Sequence, residues 1–186
     1  MRVVAGKARG VRLGSVPGYE TRPTADRVKE ALFSILQPRI GDAVFLDLFA
    51  GNGGIGIEAL SRGAARAVFV DAKPACTRMI KENLARARLD DAEVLTMRVE
   101  RAIQRLREQQ KKFDIIFLDP PYGKGFIVPT LAALWEADIV QPDAVIIAEY
   151  GVKEEIDLST SKFQLVRQEK YGDTVLGFFT LREDVE

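Results

Sequence analysis

Three groups of residues in this 186-residue chain have types and spacings that could do chemistry. The first is Asp47-Leu48-Phe49-Ala50-Gly51-Asn52-Gly53-Gly54-Ile55-Gly56, where Gly51 to Gly56 fits G-x-G-x-x-G. Glycines there let the backbone approach a ligand closely. The second is Asp71, 20 residues past Gly51, an acidic group placed to accept hydrogen bonds from ribose hydroxyls. Asp47 sharpens the pair. A carboxylate in an apolar stretch is costly unless it meets donors, and loop amides or the ammonium of an amino-acid moiety would supply them. The third group is Asp119-Pro120-Pro121-Tyr122. Two prolines fix φ near −65° and remove two backbone donors, so the carbonyls of the turn can be aimed outward as acceptors. With the Asp119 carboxylate and the flat face of Tyr122, they suit an exocyclic amine on a planar base.

Other chemistries are excluded by composition. The chain has no histidine, so no Ser-His-Asp triad, Cys-His pair or imidazole proton shuttle is available. One cysteine, Cys76, excludes an internal disulfide and a cysteine-based structural zinc site. Basic and acidic residues balance at 27 each, but not locally. Residues 1–30 carry a net +4, residues 31–135 a net +3 and residues 136–186 a net −7. A polyanion would meet the local charge. The basic leader (Arg2, Lys7, Arg9, Arg12, Arg22, Arg27, Lys29) is therefore the expected phosphate-contact region, and Lys124, just beyond the Asp119–Tyr122 turn, is a further candidate. No apolar run reaches the length of a membrane span and the start does not read as a secretory signal. The expected location is the cytoplasm.

These groups need elements to position them. Residues 1–22 read as a small hairpin or a flexible arm. Residues 24–36 read as an amphipathic helix, with Val28, Ala31, Leu32, Ile35 and Leu36 on one face and Thr24 as its N-cap. From residue 43 the pattern becomes strand-helix alternation. Strands are expected at 44–49, 67–70, 93–97, 113–118 and 144–148, with helices at 55–62, from Pro74, around 102–106 and at 127–137. Residues 163–171 and 174–181 flank Gly172-Asp173 as a terminal hairpin. Such alternation implies a parallel sheet covered on both faces. Ligands then bind outside the carboxyl ends of the strands, where all three groups fall.

On these residues the chain resembles the class I S-adenosylmethionine-dependent methyltransferases that modify exocyclic amines. Gly6-Lys7-Ala8-Arg9-Gly10, Arg22-Pro23-Thr24-x-Asp26-Arg27-Val28-Lys29-Glu30-Ala31-Leu32-Phe33, Glu58-Ala59-Leu60-Ser61-Arg62-Gly63-Ala64, Glu82-Asn83-Leu84 and Tyr171-Gly172-Asp173-Thr174 narrow the likeness. Together they resemble the RsmD-type 16S rRNA guanine-N2 methyltransferases over nearly the whole chain. The resemblance implies a Rossmann-like α/β fold with a mostly parallel seven-stranded sheet, helices on both faces and an antiparallel carboxyl-terminal hairpin. It implies an amino-terminal extension over 1–38 and a methyltransferase domain over 39–186.

It also implies S-adenosyl-L-methionine as cofactor, S-adenosyl-L-homocysteine as product and 16S rRNA, within the small ribosomal subunit or an assembly intermediate, as partner. The target would be a guanine at the 966 position. Metal is not expected, and a monomer is. Carried over by position, Asp119, Pro120 and Tyr122 would be catalytic, and Asp47, Phe49, Gly51, Gly53, Asp71 and Glu100 would bind the cofactor. Glu100 stands at the adenine-contact position unless a shift of one residue puts Arg101 there. Lys7, Arg9, Arg12, Arg22, Arg27 and Lys124 would contact RNA.

The alternatives are a DNA adenine-N6 methyltransferase, a nicotinamide-dependent oxidoreductase and a non-catalytic RNA-binding module. No target-recognition insertion is evident for the first. The oxidoreductase reading leaves Asp119–Tyr122 unexplained, and the intact motifs oppose loss of catalysis. Asn83 is expected to satisfy nearby backbone, and Cys76 and Trp135 are expected to pack. Glu149, ending the fifth strand, could be structural or substrate-facing.

Overall fold

The computed structural model describes residues 1–18 and 24–183. In chain order the elements are α1 (Thr24–Leu36), β1 (Val44–Leu48), α2 (Gly54–Ser61), β2 (Arg66–Asp71), α3 (Pro74–Ala87), β3 (Ala92–Thr96), α4 (Val99–Glu108), β4 (Phe113–Leu118), α5 (Ile127–Glu136), β5 (Val140–Gly151), β6 (Phe163–Tyr171) and β7 (Thr174–Leu181). The strands form one seven-stranded sheet in the order β3-β2-β1-β4-β5-β7-β6. The first five pair in parallel, and β7 pairs antiparallel with both β5 and β6. This is the Rossmann-like, mostly parallel seven-stranded sheet with an antiparallel carboxyl-terminal hairpin that the resemblance implies. Among the described residues no helix is long and apolar enough to cross a membrane.

The continuous apolar runs of the inner strands follow from burial on both faces. Phe45, Phe69, Phe117 and Ile147 point into a core shared with α1, α2 and α3. Leu46, Val68, Ile116 and Ile146 point to the other face, against α4 and α5. The one carboxylate inside β4, Asp114, accepts the Val44 amide hydrogen at 2.8 Å, which satisfies it at the start of β1.

Three details depart from the sequence reading. β5 runs Val140–Gly151, beyond the expected 144–148, because Val140 pairs with Phe113 across a register shift before the regular ladder begins. Trp135 does not pack inside. It is 45 % exposed on the outward side of the last turn of α5, where the Lys162 ammonium lies 5.9 Å from its ring centroid. Lys29 is not a surface cation, because it is 1 % exposed. Positions 29, 32, 33 and 36 form an i, i+3, i+4, i+7 stripe of α1, so Lys29 shares the buried side with Leu32, Phe33 and Leu36. The cap expected of Thr24 lies outside the described side chains.

The leader is a hairpin laid along α2. Arg2 and Arg12 form an antiparallel bridge. Glu58, fully buried in α2, accepts the amide hydrogens of Val4 at 2.9 Å and Ala5 at 3.0 Å. Arg62 Nε donates to the same carboxylate at 2.8 Å, and Lys29 Nζ lies 3.4 Å from it. Lys29 Nζ also donates to the Arg2 carbonyl at 2.6 Å. Ser61 accepts from the Ala8 amide and donates to the Ala5 carbonyl. At the tip, Gly6 has φ +83°, and a Cβ there would stand 1.8 Å from the Ser61 carbonyl oxygen; only glycine fits. The motif Glu58-Ala59-Leu60-Ser61-Arg62 is thus the leader's dock. Burial pushes the Lys29 pKa down, with the Glu58 charge and hydrogen bond opposing that shift.

Candidate active site

The three chemical groups meet at the carboxyl ends of the strands. They line one cavity of about 940 Å³, large enough for a nucleoside-sized cofactor together with a base. The sheet order arranges its floor. Glu100 follows β3, Asp71 ends β2, Asp47 and the glycine loop lie at β1, and Asp119 follows β4.

Asp47 is buried on β1 and accepts the Gly56 amide hydrogen at 2.9 Å. Burial pushes its carboxyl pKa up to about 8, opposed by that hydrogen bond and aided by Asp71. Gly56 serves packing as well. A Cβ there would stand 2.3 Å from the Phe69 ring, so glycine lets α2 sit directly on β2. Asp71 accepts the Gly51 amide at 2.9 Å through one oxygen and the Lys73 amide at 2.9 Å through the other. Asp71 also lines the cavity and is hydrogen-bonded by the Cys76 thiol. Phe49 holds φ +62° between β1 and the glycine loop, and its ring lies 5.9 Å from that of Phe126. Both rings line the cavity.

Gly51 lines the cavity, but Gly53 does not. Gly53 makes the left-handed turn at the α2 N-cap and faces Ile57 and Ile80. Glu100 lines the cavity from the first turn of α4, 3.7 Å from Arg98, whereas Arg101 is not part of the lining. Acceptors at Asp71 and Glu100, apolar walls at Val99, Phe49 and Phe126, and the buried Asp47 carboxyl fit an adenosyl group carrying an amino-acid tail.

Asp119, Pro120, Pro121 and Tyr122 form the next stretch of wall. Asp119 lines the cavity just past the end of β4. Burial, then the charges of Glu149 and Asp47, push its carboxyl pKa well above the usual carboxylate range. Tyr122 is 37 % exposed. Its hydroxyl donates to Glu149 Oε1 at 2.6 Å and lies 3.2 Å from Thr174 Oγ1. Burial and the bond to Glu149 raise its pKa. A Cβ on Gly151 would stand 3.3 Å from the Tyr122 ring, so the ring rests on bare backbone. The Gly123 amide donates to Glu154 at 3.0 Å, tethering the loop that follows.

The expected RNA-contact residues lie on several elements. Lys7 and Arg9 are exposed at the hairpin tip, beside the carboxyl end of α2. The glycine loop lies at the other end of that eight-residue helix, about 12 Å away at 1.5 Å per residue. Arg12 and Arg27 are exposed on the leader and α1, and Lys124 is exposed beyond Tyr122. Arg22 lies outside the described residues.

Several contributors were not legible beforehand. Met1 lines the cavity, and a Cβ on Gly54 would meet its sulfur at 2.3 Å. Asn83 accepts from the Gly14 amide at 2.7 Å and donates to the Gly14 and Asn52 carbonyls at 3.0 and 2.9 Å. The expectation that it satisfies backbone holds, but the backbone belongs to two distant loops, so α3 binds the leader to the glycine turn. Cys76 is a small core residue. Thr174, inside the Tyr171–Thr174 motif, lines the cavity and steadies Tyr122.

The family described as conserved hypothetical protein 95 matches residues 1–180. A Bacillus subtilis protein named as a candidate rRNA methyltransferase is 37% identical over 183 residues, 98% of this chain and 100% of that one. Ribosomal RNA small subunit methyltransferase D of Escherichia coli is 33% identical over 172 residues, 92% of this chain and 85% of that one. A solved Escherichia coli structure, titled as a candidate methyltransferase, superposes with TM-score 0.83 at 31% identity, covering 97% of each chain.

Proposed function

The chain belongs to the conserved hypothetical protein 95 family, and from that premise we propose that it methylates the exocyclic N2 of a guanine in 16S rRNA. It is an S-adenosyl-L-methionine-dependent rRNA methyltransferase. The guanine target, the small subunit or an assembly intermediate as substrate, a cytoplasmic location and a monomeric state belong to the proposal. The observation that carries it is the Asp119–Tyr122 turn, set beside the glycine loop in one cavity and holding a tyrosine face next to two carboxylates.

When bound, S-adenosyl-L-methionine supplies an electrophilic methyl group. Asp71 and Glu100 would hold its ribose and adenine, Gly51 and Phe49 would shape the passage, and Asp47 would receive its ammonium. Guanine N2 is a poor nucleophile because its lone pair is delocalised into the ring. The Asp119 carboxylate and the Pro120 carbonyl accept the two amine hydrogens, which favours a pyramidal nitrogen with its lone pair turned towards β1. The Asp119 carboxylate is placed to take the proton that the substituted amine sheds. Rate arises mostly from orientation and charge placement, which needs no histidine. The test is labelled methyl transfer to small subunits from cells lacking this protein, followed by mapping of the modified base. Label at any atom other than guanine N2 overturns the reading.

Asp47 gives a pH prediction. Its carboxyl has a pKa near 8 in the fold against 3.8 ordinarily. Between these values the folded protein holds a proton that the unfolded chain lacks, so stability falls as pH rises through the window. An ammonium placed beside Asp47 favours the ionised form. Binding of S-adenosyl-L-homocysteine at pH 7 should therefore release on the order of one proton, read by titration calorimetry in buffers of different ionisation heat. Asp47→Asn should abolish the release, and buffer-independent heats in the unaltered protein would refute the contact.

Tyr122 would stack on the unstacked guanine. Base-aromatic stacking contributes ~1–3 kcal/mol, so Tyr122→Ala should slow methyl transfer more than Tyr122→Phe. Equal losses would count against stacking. For the leader, joint replacement of Lys7, Arg9, Arg12 and Arg27 by Gln should weaken RNA binding. It should also flatten the slope of log K against log salt by roughly 3, at about 0.7–0.9 for each phosphate contact. An unchanged slope refutes the assignment.

A further inference from the structure

Two carboxylates stand side by side at the target end of the cavity. β4 and β5 run parallel with Leu118 opposite Ala148, so the next residues, Asp119 just past the end of β4 and Glu149 still within β5, stand beside each other. Strand spacing separates their backbones by about 4.8 Å. The alternation of side chains gives both the face of Phe117 and Ile147, the side that α1 covers. Both line the cavity, and each charge acts on the other. Because the strand order is β1-β4-β5, Glu149 lies on the far side of Asp119 from Asp47, Asp71 and the glycine loop. It faces what enters beside the cofactor rather than the cofactor itself.

Adjacent carboxylates in a confined site repel or share a proton, so a ligand that brings donors to the pair favours both being ionised. The bases differ in this respect. Guanine presents N1–H next to its N2 amine, two donor groups in a row. Adenine presents its amine next to a bare N1, a donor beside an acceptor. A row of two acceptors matches the first and repels the second.

We propose that Glu149 is the specificity-determining residue for guanine, its carboxylate accepting the N1 hydrogen while Asp119 holds the neighbouring amine. This rests on the guanine-N2 reading above and names how that site chooses its base. The Tyr122 hydroxyl donates to Oε1 and holds the carboxylate in place. A carboxylate offers about four acceptor positions, so it can serve tyrosine and base together. The base is thereby read on its edge by Glu149 and on its face by Tyr122, two side chains bonded to each other.

The test is single-turnover methyl transfer to target RNA carrying either guanine or 2-aminopurine at the modified position. 2-Aminopurine keeps the N2 amine but has a bare N1. The unaltered protein should prefer guanine by roughly 10²–10⁴-fold, as expected of a site built to accept a hydrogen bond from the base that its analogue cannot donate. Glu149→Gln, whose amide can donate to a bare N1, should reduce that preference to about tenfold or less. Tyr122→Phe keeps the carboxylate and should lower both rates with the preference retained. If Glu149 only steadies Tyr122, Glu149→Gln slows both substrates equally and the ratio stays as it was, which overturns the proposal. Equal rates on the two bases with the unaltered protein also overturn it. Absence of N2 labelling on either base defeats the guanine-N2 reading itself, and the specificity role falls with it.

Discussion

Asp119→Ala lowers methyl transfer by about 10²–10⁴-fold, the span expected when a positioned acid-base group is lost, and leaves S-adenosyl-L-homocysteine binding within a few fold. The two readouts separate because of the sheet. Asp119 follows β4, whereas the polar groups placed to hold the cofactor lie in β1, at the end of β2 and after β3. Removing the carboxylate also relieves the repulsion it shares with Glu149 and Asp47, so the fold should not suffer. Single-turnover kinetics and calorimetry on one preparation give both numbers. Turnover within tenfold of the unaltered protein, or loss of cofactor binding in parallel, would remove Asp119 from the role assigned to it.

Glu58→Ala destabilises the protein by about 3–5 kcal/mol, the range for breaking a buried ion pair from one side. For a chain of this size that is a fall in melting temperature of roughly 6–20 °C. The carboxylate serves the Val4 and Ala5 amides, Arg62 and Lys29, all from full burial. Its loss strands Lys29 in a site from which burial already drives its proton away. The double variant Lys29→Met with Glu58→Met should be less destabilised than Glu58→Ala alone, because no buried charge is left uncompensated. Thermal denaturation followed by circular dichroism reads the effect. A cost below about 1 kcal/mol would mean that the leader docks without this carboxylate. Because Met1 lines the cavity, weaker cofactor binding should accompany the loss.

Local patterns carried most of the fold. The period of α1, the apolar runs of β1, β2 and β4 and the Gly172-Asp173 turn are properties of neighbouring residues, and each element stands close to where its pattern lies. Asp119–Tyr122 and Gly51–Gly56 were visible because their conformational constraints lie within a few residues. Glu149 was visible but undecidable. Its meaning depends on Tyr122 and Thr174, 27 and 25 positions away, and on the register of β4 against β5. Lys29 was misread because its charge drew more weight than its place on the apolar stripe of α1.

By itself, the sequence determined the alternation of strand and helix, the residues at each strand end and a chemistry without histidine. These follow from backbone preferences, hydrophobic period and side-chain inventory, all short-range. Only the tertiary structure decided which charges stay in water. It buried Lys29 on Glu58, spread Lys7 and Arg9 to the far end of α2, and set Glu149 beside Asp119. Those outcomes depend on packing and register between segments far apart in the chain, where the cost of burying a charge is settled by partners that the local sequence does not name.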